Sequence, residues 1–565
     1  MKIVVKAAFV AACLVGTAAG AKPADSEWFQ SCDGYGPPKG RSDGMVKDTY
    51  GLFAATMNTR RTTPLLTGDG IKACDLALAD PQLLPEQWRR RVSLIRARAI
   101  HDLAAGKDAD ALADLDKAEA AAQDLADPFY KRSLGLGIQL VRAYALAQTG
   151  RKAESDKLLA EVVRARPFNR QILLAAMAVA VDPRSPVAGT PVGELFGRLD
   201  PRAIDLMYLA EFDARDFAQA IALQPHLAPP LRPLDKGVQT FSTRIQDVKN
   251  AAAEYNYTAD RKARLAYVLA TMGRADEARR EIGAAKTYFA AKMPAAFPPL
   301  ADGEKPSKSA MEDRALNGIA VDAMQPMQAV LDGWQKLIDW RLELEEPGGP
   351  QKVVAGLTPL SLPMTGAQLD FLMTLRRHLG EDRGLDQAIA NAQARLAPRR
   401  DRSAEVRLLF DALPHTEVHQ RIPAYRKANS PFLVALWGGV NGFSSHDEPS
   451  GEITVSFVSE QSSATVVEEM ALLRAADLAR ERGKSGIVIK GRSDYQRTQN
   501  TYLYSRLIRT EPKGYSTDLR VELVDAANPP AAYHAVPWRV IPVQEILNSL
   551  GETYVSPAQG KEPGS

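Results

Sequence analysis

Cysteine and histidine are scarce in this sequence, since 565 residues contain only 3 cysteines and 7 histidines. Few histidines leave few candidate sites for catalysis, because an enzyme commonly needs a histidine near a carboxylate or a nucleophile. The sequence also has no excess of either charge, because 71 lysines and arginines are mixed along the chain with 68 aspartates and glutamates. Without a basic stripe or an acidic tail, we expect no nucleic-acid partner.

Long apolar runs are missing as well, and after the first residues none approaches the length that spans a bilayer. The start of the chain has the pattern of a signal peptide. Lys2 and Lys6 precede a short apolar core, and Ala19-Gly20-Ala21 forms an A-x-A cleavage site. We therefore expect residues 1–21 to be removed and the mature protein to be periplasmic or secreted.

A second interpretation of the N-terminus is a lipid anchor, because Val10-Ala11-Ala12-Cys13 is similar to a lipoprotein signal. The apolar stretch before Cys13 is very short, and apolar residues continue after it as far as Ala19. Cleavage after Ala21 therefore explains the pattern better than lipidation of Cys13.

The two remaining cysteines, Cys32 and Cys74, suggest a disulfide bond in an exported protein. Cys32 lies in a turn-rich stretch and Cys74 in a segment with a helical pattern. A bond between them would attach the irregular start of the N-terminal arm, residues 22–84, to the first helix of the array, which contains Cys74. The alternative is two buried, unpaired thiols.

Three segments share a pattern in which a glycine is followed after five positions by a small residue and four positions later by an apolar one. They are Gly106…Ala111…Leu115, Gly150…Ser155…Leu159 and Gly273…Ala278…Ile282. Glycine can end a helix in a left-handed turn, and a small residue lets the next helix approach closely. Such helical hairpins bury their apolar faces by stacking.

This pattern resembles the second half of the tetratricopeptide repeat. The resemblance implies a solenoid over residues 85–425 whose inner, concave face, formed by the first helices of the hairpins, binds a partner. The sequence departs from the 34-residue period, because 44 and 123 positions separate the glycines. We therefore expect insertions, and the prolines between Pro225 and Pro233 leave open whether the array forms one block or two.

Residues 430–555 change from a helical to a mixed pattern. Glu452–Val458 alternates as a strand does, Ser462 or Ser463 can begin a helix that Gly483 ends, and further strands are expected at Gly486–Ile489, Thr501–Ile508 and Leu519–Val524. A last helix is expected at Val543–Leu550. The predicted fold is therefore mainly α, a helical-repeat solenoid followed by a small α+β domain, with a disordered tail at 556–565.

The C-terminal part resembles a domain of uncharacterised bacterial envelope lipoproteins. The likeness is carried by one helical segment with the glycine that ends it and by one strand that begins near Tyr515. The helical residues are Leu473, Arg474, Ala475, Ala476 and Asp477, followed by Gly483. The resemblance implies a fold and no assigned chemistry.

Candidate chemistry is limited to a few histidines and carboxylates. His415 and His419 would lie one turn apart on a helix, a possible pair of metal ligands, but no third ligand is evident and a solvated helix start is the simpler expectation. His446 lies in a loop-like stretch without a nucleophile elbow. Glu468-Glu469 is expected on the solvated face of its helix.

The sequence as a whole predicts an exported, non-catalytic scaffold, without a cofactor or a metal, that binds a protein partner or another envelope component. The alternative is an envelope hydrolase or a metal-dependent enzyme with a site near His415, His419 and His446. The two differ in whether these histidines meet in one pocket.

Overall fold

A computed structural model describes residues 27–38, 46–47, 56–57, 64–227, 241–295, 306–358, 360, 362–398, 400–417, 422–428, 441–460, 462–503 and 506–555. The predicted signal peptide, Cys13, His419 and the predicted tail lie outside these residues. The protein is mainly helical with a small antiparallel sheet. Among the described helices, none combines the length and the apolar character needed to cross a membrane.

The chain divides into two compact units. Among the described residues, the first unit comprises those within 1–155, 402–421 and 499–513, and the second comprises those within 156–401, 422–498 and 514–565. Both units are therefore assembled from segments that are far apart in the sequence.

The first unit consists mainly of helices that pack in sequence order, α1 on α2, α2 on α3 and α3 on α4. Its described elements are α1 (Glu27–Asp33), β1 (Val46–Lys47), β2 (Thr56–Met57), α2 (Gly68–Ala79), α3 (Trp88–Ala104), α4 (Asp108–Ala120), α5 (Pro128–Arg132), α6 (Leu134–Gln148) and the start of α7 (Lys152–Ala165). Helix α18 (Arg402–Asp411) comes from much later in the chain and also belongs to the first unit.

Helix α1 is fixed to the first unit by covalent and polar contacts. The sulfur atoms of Cys32 and Cys74 lie 2.09 Å apart and form the expected disulfide bond. Asp33 pairs with the buried guanidinium of Arg90, and Nε2 of His101 lies 2.8 Å from the carbonyl oxygen of Cys32. Cys32, which was expected in a turn-rich stretch, lies instead in helix α1, and these contacts anchor that helix to α2 and α3.

The second unit contains the longest helices. After α7 come α8 (Arg170–Ala180), the short strands β3 (Pro186–Val187) and β4 (Thr190–Pro191), α9 (Val192–Leu199), α10 (Ala203–Ala214), α11 (Phe217–Leu223), α12 (Phe241–Thr271), α13 (Ala275–Lys292), α14 (Lys308–Glu343), α15 (Gly349–Ala355), α16 (Gly366–Leu379) and α17 (Arg383–Leu396). Helix α12 packs along both α13 and α14. Phe212, Tyr267 and Trp334 form part of the core that these helices share.

The turns that follow three of the helices share one hydrogen-bond pattern. Gly106, Gly150 and Gly273 have φ values of +77°, +78° and +73°. In each turn the N–H after the glycine donates to the carbonyl five residues earlier, at 2.8, 2.9 and 3.0 Å. This is a Schellman motif, which satisfies carbonyls at the helix end. The small residues that follow, Ala111, Ser155 and Ala278, are buried.

Another turn of this kind has no glycine. Arg215 has a φ of +68°, and the N–H of Asp216 donates to the carbonyl of Glu211 at 2.9 Å. Ala220, five positions after Arg215, is buried like the small residues of the other hairpins. The sequence pattern missed this hairpin because arginine is uncommon in a left-handed turn.

The five-stranded sheet of the C-terminal part has the strand order β5-β6-β8-β7-β9. Its strands are β5 (Gly442–Asp447), β6 (Ile453–Ser459), β7 (Gly486–Leu503), β8 (Arg506–Val524) and β9 (Ile541–Pro542). Between β6 and β7 lies α19 (Ala464–Glu481), which packs on β6. After β9 follow α20 (Val543–Ile546), a π-helical turn (Leu547–Gly551) and α21 (Glu552–Tyr554).

The sequence predicted the β6–α19 region closely and the strands after it less well. Ser463 accepts the N–H of Val466 at 3.3 Å and begins α19 as expected. The three strands expected between 486 and 524 are instead two long ones, β7 and β8. Polar residues such as Asp494 and Gln496 hid this continuity, because they interrupt the apolar alternation by which strands are recognised.

Candidate functional site

The face of α3 and α6 is the surface that the repeat resemblance assigns to a partner. In the first unit, residues 402–417 of the same chain lie against it. Nη2 of Arg96 on α3 donates to the carbonyl oxygen of Leu409 at 2.6 Å and also to that of Ala412. Oη of Tyr144 on α6 donates to Oε2 of Glu405 at 2.7 Å.

The end of this segment fits closely against α6. A Cβ atom on Gly137 would lie 2.5 Å from the carbonyl oxygen of Leu413, so the absence of a side chain allows the approach. Leu413 itself has a φ of +46°. One turn earlier, Oγ of Ser133 accepts the N–H of Glu417 at 2.9 Å.

The segment also contributes apolar side chains to the interior. Its buried apolar residues are Val406, Leu409, Phe410, Ala412 and Leu413. Burying a large apolar side chain contributes about 1.5–3 kcal/mol, so displacing the whole segment would cost far more than one such contact. Residues 402–417 are therefore an integral part of the first unit, and they cover this face of α3 and α6.

The candidate histidines lie in different surroundings. His415 belongs to the first unit and packs edge-on against Tyr35, with ring centroids 4.3 Å apart. The expected helix start is absent, because residues 412–417 contain no helix. His446 was expected in a loop, but it is an exposed residue of strand β5 in the second unit and pairs with Thr454 of β6. Within the described ranges, no three metal-ligating side chains form a group that could hold an ion.

The residues of the C-terminal motif hold α19 in place. Leu473, Ala475 and Ala476 are buried, while the guanidinium of Arg474 lies 4.6 Å from the ring centre of Phe443. Asp477 accepts a 2.6 Å hydrogen bond from Oη of Tyr425.

The other two residues of the motif act at the end of this helix and in the sheet beside it. Gly483 ends the helix with a φ of +68°. Tyr515 pairs with Ser459 where β8 meets β6. The contacts of the whole motif are thus those of a packed helix and sheet.

Glu468 and Glu469 are buried, and their expected position on a solvated face is wrong. Glu469 receives a hydrogen bond from Nε of Arg166 at 2.6 Å and one from Oη of Tyr554 at 2.5 Å. Glu468 lies 2.7 Å from Nη2 of Arg492. Burial raises the pKa of Glu468, and the charge of Arg492 opposes that shift. Both carboxylates join segments that are distant in the sequence.

A cavity of about 230 Å³ opens in the second unit between the end of α7, the turn of β3 and β4, helix α9 and the segment around 538–545. Its walls include the apolar side chains of Val163 and Leu195 and the ring of Trp538. Two arginines and two glutamates also line it, and these are Arg164, Arg198, Glu194 and Glu545. No local feature of the sequence marks this cavity, because three stretches that are far apart in the sequence line it, at 163–167, 187–198 and 538–545.

The first turns of α12 and α14 form an exposed helix end. Arg244 pairs with Asp313 at 2.6 Å, so the two helices begin side by side. No residue of 241–251 or 306–315 is buried. Phe241 and Met311, near the two N-termini, are 38% and 52% exposed. This helix end therefore carries two exposed apolar side chains near an ion pair.

Comparison with known proteins gives no match of the chain to a protein family, to a curated protein or to a solved structure.

Proposed function

We infer that this protein is an exported, non-catalytic scaffold of the bacterial envelope that uses its helical hairpins to hold a protein partner. The repeated Schellman turn is the observation that supports this most directly. It occurs at Gly106, Gly150 and Gly273, and again at Arg215, each time followed after five residues by a buried small side chain. Recurrent hairpins of this kind are typical of binding scaffolds.

The partner surface that we propose is the exposed end of α12 and α14. The face of α3 and α6 in the first unit is not available, because residues 402–417 cover it and a partner would have to displace them. Phe241 and Met311 offer apolar contact area beside the ion pair of Arg244 and Asp313. A few apolar anchors surrounded by polar groups supply most of the energy in many interfaces.

The experiment is chemical crosslinking in cells that export a tagged full-length chain, followed by purification and mass spectrometry. The double variant Phe241→Ala, Met311→Ala removes the two proposed anchors. The variant Met272→Ala is the control, because Met272 is similarly exposed, at 48%, in the turn between α12 and α13.

We expect one distinct partner with the wild type and with the control, and a recovery at least tenfold lower with the double variant. Recovery of the chain alone at every crosslinker length would contradict the scaffold. A partner that the double variant retains in full would contradict the proposed surface.

A further inference from the structure

The cavity beside α9 has features of a site for a small ligand. Its volume of about 230 Å³ equals that of roughly eight water molecules. That space holds a group of the size of a free amino acid, and a longer molecule can extend out of it because the cavity is open to solvent. Apolar walls with a few polar groups are the usual composition of a ligand pocket.

The charges that line the cavity are balanced and incompletely paired. Arg198 and Glu545 face each other with N–O distances of 3.4 and 3.5 Å, longer than the 2.7–2.9 Å of a strong charge-assisted hydrogen bond. A ligand that carries both charges could therefore replace this contact with two shorter ones. Arg164 and Glu194 supply a second pair of opposite charges in the same lining.

A carboxylate of the cavity favours a ligand that carries a positive charge. Burial raises the pKa of Glu194, against the opposing charge of Arg198, so a cation beside this carboxylate would be stabilising.

The walls are held in position before any ligand binds. The ring of Trp538 lies so close to Gly197 on α9 that a Cβ atom there would be 2.9 Å from it. The next residue, Arg539, is buried and donates to the carbonyl oxygens of Gly197 and Ile489, both at 2.7 Å. Preorganised walls reduce the entropy lost when a ligand binds.

We propose that this cavity binds a small zwitterion, a free amino acid or a short peptide with an apolar side chain. Its carboxylate lies at Arg198 and Arg164, and its ammonium lies at Glu194 and Glu545. Its apolar group packs against Val163 and the ring of Trp538. This inference goes beyond the proposed scaffold function, because the cavity lies outside the α12 and α14 residues proposed for the partner.

The test is calorimetric titration of the purified mature chain with each common amino acid and with di- and tripeptides of leucine and phenylalanine. We expect saturable binding of at least one apolar amino acid or peptide. If free amino acids bind more tightly than peptides, the ligand is a free amino acid, and if peptides bind more tightly, it is a peptide. N-acetylation or C-terminal amidation removes one charge and should weaken the binding at least tenfold.

Variants connect the binding to the cavity. Glu194→Gln and Arg198→Met should each lower the affinity for that ligand at least tenfold. Arg279→Met, an exposed change on α13, is the control and should leave the affinity unchanged. Thermal unfolding checks that all three variants are folded. Absence of binding at millimolar ligand would overturn the proposal, as would equal binding of the zwitterion and its uncharged derivatives.

Discussion

Tyr144 and Glu405 are 261 positions apart in the sequence, yet Oη of Tyr144 donates a 2.7 Å hydrogen bond to Oε2 of Glu405. Both residues are buried. Their contact joins α6 to α18 and helps to hold residues 402–417 against the first unit. The covered face of α3 and α6 is therefore a property of the folded chain, maintained by specific contacts that single substitutions can test.

Replacement Tyr144→Phe removes this hydrogen bond and keeps the ring. We expect the free energy of unfolding to fall by about 1.5–3 kcal/mol, because the bond is made to a buried carboxylate. Tyr495→Phe is the matched control, since Tyr495 is 50% exposed, and its effect should stay within about 0.5 kcal/mol. Urea denaturation of both variants gives the comparison, and equal effects would contradict a role of this bond.

Gly137→Ala tests the close approach of α6 to Leu413. The new methyl group would meet the carbonyl oxygen of Leu413 at 2.5 Å, so we expect a loss of about 1–3 kcal/mol in stability. Gly318→Ala is the control, because a Cβ atom at this position in α14 has no neighbour within 4 Å. That change should add about 0.5–1 kcal/mol, through the better helix propensity of alanine. A gain in stability in both variants would show that residues 402–417 can move away from α6.

Arg215→Gly tests the helical hairpin whose turn has no glycine. Arg215 has a φ of +68°, a conformation that costs a residue with a side chain about 1–2 kcal/mol. We expect glycine to raise the free energy of unfolding by about 1 kcal/mol and alanine to give no such gain, because alanine keeps the strain. Thermal unfolding of the two variants measures this difference, and an equal result for both would be inconsistent with a left-handed turn.

Asp102→Asn tests a buried carboxylate in the last turn of α3. Burial, together with the nearby charges of Asp114 and Asp110, raises the pKa of Asp102 to about 6. The folded protein therefore binds this proton more tightly than the unfolded chain, and its stability falls as the pH rises from about 4 to 7. The variant should be more stable at pH 7 by roughly 1–2 kcal/mol, a figure reduced for screening.

The same comparison at pH 4 serves as the internal control for Asp102→Asn. There the carboxyl group is protonated in the folded state, so the two proteins should differ little. Denaturation curves between pH 4 and 7 give the difference as a function of pH. A difference that stays constant over this range would show that the titration of Asp102 does not affect stability.

Local features of the sequence were enough to predict several helix ends. Gly106, Gly150 and Gly273 have the left-handed conformation that only glycine adopts easily. Ser463 begins α19, since its side chain accepts a backbone N–H of the first turn. These predictions succeeded because the physical cause lies within a few residues of the signal.

Other features depend on partners that the sequence does not bring together. Arg96 donates to the carbonyl of Ala412 across 316 positions, and a backbone carbonyl has no sequence signature. Glu468 and Glu469 fit the pattern of an exposed helix face, but Arg492 and Arg166 pair with them from other elements. The cavity beside α9 escaped prediction for the same reason.

The most direct test of the scaffold is site-specific photo-crosslinking in the cell from position 311. A photoreactive amino acid replaces Met311 in the full-length exported chain, and the same group at position 272 serves as the control. We expect one discrete crosslinked protein that depends on light and appears from position 311 only. Equal crosslinks from both positions, or no crosslinked protein from position 311, would contradict it.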